Sequence, residues 1–147
     1  MNSLVRFWRW PLPEKKLFLL ACCLTCYCFI IVYLQPGKYL KKHLGNPLPS
    51  TALPIPENTQ ESQAFATQVR LIIQRTMRCL PSNNKCLVYT LVCKKLLQQK
   101  NIPHTLFLGM RKLEGKLVAH AWLTCGDIDI VGCEEKTCYS VIGAFTS

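Results

Sequence analysis

Cys79-Leu80-Pro81-Ser82-Asn83-Asn84-Lys85-Cys86-Leu87 opens the stretch whose reading decides the fold, and Ala119-His120-Ala121-Trp122 closes it. Pro81 and Ser82 are turn and cap residues, so Ser82 predicts the N-terminus of a helix. From there Leu87, Leu91, Leu96 and Leu97 keep roughly one face apolar. Lys94, Lys95 and Lys100 fill the far end, where cations complement the helix macrodipole. Cys86 then falls in the first turn, where the partial positive charge of the terminus and the neighbouring Lys85 favour an anion. Alone, Cys86 reads as a small buried hydrophobe. With a histidine on a strand that returns beside it, the pair has the layout of a thiol nucleophile and its base.

Working outward, Asn101-Ile102-Pro103 stops the helix. Thr105–Met110 reads as a strand, and Lys112–Lys116 turns the chain around Gly115. Leu117–Thr124 is the next strand, with Gly126-Asp127 a tight turn into Ile128–Val131. Cys138–Gly143 adds a last strand. Upstream, Phe65, Val69, Ile72, Ile73, Met77 and Leu80 follow helical spacing from Glu61, and this helix is expected to pack against the Cys86 helix. Helices first and then a small antiparallel sheet make the class α+β.

Cys86-Leu87 and its Leu-rich helix, Asn101-Ile102-Pro103, Leu106-Phe107-Leu108-Gly109-Met110-Arg111 and Ala119-His120-Ala121-Trp122 together resemble the lasso-peptide biosynthesis B proteins. More narrowly, they look like the stand-alone leader-peptidase half of the split B protein, of the microcin-processing type. The resemblance covers about residues 60 to 142 well and the N-terminal third loosely. It implies a papain/transglutaminase-like core, with a nucleophile helix packed on a small antiparallel sheet and an apolar helix in front. It also implies a cysteine peptidase that needs no cofactor: Cys86 attacks the leader–core bond of a ribosomal precursor and His120 serves as general base and acid. The implied partners are that precursor, a separate winged-helix leader-recognition protein and an ATP-dependent cyclase. A catalytically silent scaffold of the same fold and a transglutaminase-type acyltransferase remain open as alternatives.

The third member of a triad would hold the imidazole tautomer and stabilise the imidazolium. In the resembling family an acid follows the histidine by about a dozen positions, and here Gly132 occupies that distance. With Cys125 paired to Ile128, Cys133 is expected opposite His120 and Asp129 opposite Thr124, too far along the strand to reach the ring. Glu134 is the better placed acid if the strand ends or bulges there, and Asp129 is the reserve.

The chain of 147 residues has a formal net charge of +10, unevenly spread. Residues 1–45 carry seven lysines and arginines against Glu14 alone, and these flank Leu17–Leu34, an uncharged apolar run. That pattern reads as membrane proximity rather than nucleic-acid binding, since no Arg-rich helix or zinc-finger spacing is present. The run is either a membrane-inserted or membrane-lying helix or a helix buried on the catalytic domain. Gln35-Pro36-Gly37-Lys38 is not a small-residue cleavage site. Pro47, Pro49, Pro54 and Pro56 predict a linker over 46–59, dividing an N-terminal segment (1–45) from a catalytic domain (60–147). Of ten cysteines, Cys22, Cys23, Cys26 and Cys28 lie in the apolar run, where Cys23-x-x-Cys26 is no redox motif. Cys125, Cys133 and Cys138 with His120 lack zinc-site spacing, so no metal is expected. Free thiols place the chain in the cytoplasm or on the cytoplasmic face of the membrane.

Overall fold

The structure is a computed structural model that describes residues 9–34, 37–48, 59–79 and 85–146. Its helices are α1 (Leu12–Leu34), α2 (Gly37–Leu44), α3 (Gln60–Cys79) and α4 (Cys86–Gln98). Its strands are β1 (Asn46–Pro47), β2 (Thr105–Leu113), β3 (Lys116–Cys125), β4 (Ile128–Val131) and β5 (Ser140–Thr146), with a 3₁₀ turn at Lys136–Cys138. All strand pairings are antiparallel, in the order β1-β5-β2-β3-β4. This is the expected α+β architecture.

The Cys86 helix, α4, differs from its sequence pattern. A leucine face predicted an amphipathic helix, yet α4 is buried nearly all round, from Val88 through Cys93 to Leu96 and Leu97. The cause is that α1, α3 and β3 all pack on it, as α3 was expected to do. Lys94, one of the cations that the sequence places toward the helix end, is 3% exposed. Its ammonium donates to the Leu44 carbonyl at 2.9 Å, satisfying an orphan acceptor at the end of α2. Burial holds the Lys94 ammonium below the ordinary lysine pKa. Ser82 lies outside the described residues; α4 begins at Cys86, with Lys85 as its N-cap and no capping side chain.

Helix α1 is fastened along one side. Ala21, Thr25, Cys28 and Ile31 are buried at helical spacing, against α3 and α4. At its start, Glu14 Oε2 accepts from Arg75 at 2.9 Å, and the same guanidinium lies 4.1 Å from the Trp10 ring. The helix is long and apolar enough to cross a membrane by length and composition.

The sheet also takes residues that were expected in the linker. Asn46 and Pro47 pair with Thr146 and Phe145, and Leu48 N–H donates to Ala144 O at 2.8 Å. Residues 49–58 lie outside the described residues. The β2–β3 turn is Glu114-Gly115, both at positive φ (49° and 80°), which matches the twist of the flanking strands. Cys125 pairs with Ile128 and Asp129 with Thr124, as expected. A bulge then shifts the register, so that Val131 rather than Ile130 faces Leu123. The strand ends there, and Cys133 is not paired opposite His120 as expected.

Candidate active site

Two elements carry the reactive groups. Cys86 is the first residue of α4, where the N–H groups of the opening turn have no partners within the helix. His120 lies on β3 opposite Gly109 of β2. Along β3, His120 and Trp122 share one face and Ala121, Leu123 and Cys125 the other. Cys86 and His120 line one cavity of about 840 Å³, whose walls also include Ile73, Met77, Arg111 and Tyr139.

The imidazole is held from three directions. His120 Nε2 lies 2.7 Å from the Gly132 carbonyl. A carbonyl only accepts, so Nε2 carries the proton and Nδ1 is the ring's free base in the neutral form. Tyr139 stacks on the ring at 4.8 Å between centroids, and Trp122 flanks it at 6.0 Å. The column continues at both ends: Phe107 stacks on Trp122, and the Arg111 guanidinium sits 4.6 Å from the Tyr139 ring.

The chain is built locally to allow this. Gly132 has φ +73°, and a Cβ there would stand 2.5 Å from Ala121 O. Only glycine takes both the left-handed turn and the close approach, and that turn aims the carbonyl at His120. Gly109 does the same for the rings: a Cβ would lie 2.7 Å from Trp122 and 2.9 Å from Tyr139.

Glu134 lines the same cavity, but among the described residues no carboxylate hydrogen-bonds His120. Asp129 is taken up by Lys136, whose ammonium donates to both of its oxygens at 2.7 and 2.9 Å. Glu135 pairs with Arg111 at 3.3 Å. The sequence reading did not single out Gly132 O, Tyr139 or Gly109 as parts of the site. A glycine inside a strand is a signal of close approach and could have flagged Gly109. Cys133, next to the bulge, is buried, and its thiol pKa is pushed up to about 11, chiefly by burial and then by the Asp129 charge. Ser82, Asn83 and Asn84, expected to supply an oxyanion donor, lie outside the described residues.

A family model described as the Transglutaminase-like superfamily matches residues 41–143. The chain belongs to the transglutaminase-like superfamily. Searches of curated proteins and of solved structures give no significant match. This superfamily is mostly enzymatic and includes cysteine peptidases and acyltransferases. A helix-borne cysteine and a strand-borne histidine on one cavity suit the thiol chemistry of this transglutaminase-like domain.

Proposed function

We propose that this chain is a cysteine peptidase that removes the leader from a ribosomally made lasso-peptide precursor. The observation that carries the reading is a cavity shared by Cys86 and His120, with His120 Nε2 tied to the Gly132 carbonyl. In this mechanism His120 Nδ1 takes the Cys86 proton as Sγ attacks the leader–core carbonyl. The imidazolium then returns the proton to the departing amine, leaving a thioester that water hydrolyses. The Cys86 backbone N–H is one donor to the developing oxyanion. The Gly132 carbonyl fixes the tautomer, the role an acid plays in a triad, but without a formal charge.

The precursor is engaged together with a separate winged-helix leader-recognition protein, and the freed core passes to an ATP-dependent cyclase. These partners rest on the sequence resemblance. The test is incubation with a precursor encoded beside this chain, supplied with the recognition protein, and followed by mass. Release of an intact leader that depends on Cys86 supports the proposal. Transfer of the acyl group to an added amine instead of water would make the protein an acyltransferase. No turnover, with Cys86 no more reactive than other exposed thiols, would leave a silent scaffold.

A further inference from the structure

Helix α1 has a second side that the domain does not use. Leu19, Ile30, Tyr33 and Leu34 on it are exposed large hydrophobics, joined by exposed Cys23 and Cys26, and Tyr27 and Phe29 edge it where it meets the domain. At 100° per residue Leu19, Cys23, Cys26, Ile30 and Tyr33 lie on one arc, opposite the buried Ala21, Thr25 and Cys28. The sequence of α1 is apolar all round; docking on the domain makes it two-sided. No charge interrupts residues 17–34, about 27 Å of helix at 1.5 Å per residue.

The ends of this stripe are cationic. Arg9 and Lys16 are exposed before it, and Lys38, Lys41 and Lys42 after it. The single acid among the described residues of 9–48 is Glu14, already paired with Arg75. An apolar stripe with a basic collar and interfacial tyrosines is complementary to an anionic lipid surface. A helix crossing the bilayer is surrounded by lipid on all sides. Here one side is held by α3 and α4 through Ala21, Thr25, Cys28 and Ile31, by the Glu14–Arg75 pair, and by Lys85 and Lys95 over Phe29 and Tyr27.

We infer that α1 lies in the plane of an anionic membrane, with its outer side immersed in one leaflet and its inner side still docked on the domain. This surface is carried by exposure and charge alone and does not depend on the peptidase reading.

The test uses the full chain, made in a cell-free system with lipid vesicles and then floated. Vesicles of phosphatidylcholine with roughly 30% phosphatidylglycerol should carry it upward about tenfold or more better than phosphatidylcholine alone, with the gain lost in high salt. Ile30→Glu should abolish flotation while leaving the thermal melt unchanged, which separates lost binding from lost folding. An impermeant maleimide should be blocked at Cys23 and Cys26 by the vesicles and still label Cys138. Alkaline carbonate should release the bound chain. Flotation indifferent to Ile30→Glu, or none at all, overturns the inference. So does carbonate-resistant insertion with the two ends of α1 on opposite sides, which would mean a spanning helix. Capture of this face by a protein in place of lipid overturns it as well.

Discussion

At the scale of single residues, the group that holds the His120 ring is a main-chain oxygen, where the sequence resemblance led to the expectation of an acid. A side-chain reading searches for carboxylates and so leads to Glu134 or Asp129. The structure gives the imidazole the Gly132 carbonyl, and Asp129 is held by Lys136. Glu134→Gln and Asp129→Asn should each lower kcat less than about threefold, whereas His120→Ala should be inactive. A loss of roughly two orders of magnitude in Glu134→Gln, worth about 2.7 kcal/mol, would return the role to that carboxylate. Gly132→Ala must move the carbonyl, because its Cβ meets Ala121 O. It should cost about 10- to 100-fold in kcat with little change in KM, the pattern of a lost transition-state contact. Cys86→Ala should abolish cleavage. Cys79→Ala and Cys93→Ala should not, since Cys79 is exposed near the end of α3 and Cys93 is buried within α4. Cys86 and His120 were legible because their chemistry lies in side chains at recognisable places. A carbonyl leaves no mark on composition; only the glycine that aims it does.

At the scale of elements, burial of the wrong charge state writes itself into the pH dependence of stability. The Cys133 thiol titrates near 11 in the fold, against an ordinary value of 9, and burial raises the Cys93 thiol further. Below about pH 8.5 both states hold these protons and the stabilisation is intact. As pH rises to about 11, the unfolded chain ionises first and stability falls. Cys133 alone accounts for about 3 kcal/mol across that window, at ~1.4 kcal/mol per pKa unit. Denaturant melts should therefore weaken from pH 8.5 to 11, and Cys133→Ala should flatten the slope. Lys94 works in the opposite sense: its lowered pKa means a penalty at neutral pH that is relieved as the lysine deprotonates. Nearby, Gly45 has φ +104°, and a Cβ there would lie 2.6 Å from Thr146 O and 2.7 Å from Lys94 Nζ. Gly45→Ala should destabilise by about 1–3 kcal/mol and loosen β1 from β5, seen as faster amide exchange at Leu48. The order of helices and strands was readable because period and turn residues are local. The bulge in β4 and the pairing of β1 were not, because both depend on partners distant in the chain.

At the scale of the whole molecule, α1 is part of the folded body that carries the candidate site. Removing residues 1–34 would uncover the sides of α3 and α4 that Ala21, Cys28 and Ile31 now cover. The remaining chain should bind an apolar dye and lose cooperative melting, although it retains every residue of the family match. The sequence left two readings of this helix, because an apolar run has the same composition inside a protein and inside a lipid layer. Packing on one side, with the other side left exposed, combines the two, and composition does not encode which side is which. The sheet order holds a further consequence. Strand β5 is the last strand in sequence but sits between β1 and β2, and Tyr139, which covers His120, immediately precedes it. The ring over the imidazole therefore arrives with a strand whose partners lie far away in the chain, and such long-range pairing is slow to form. A partly assembled chain holds Cys86 and His120 but not the ring that covers the imidazole, so the order of assembly itself delays completion of the candidate site.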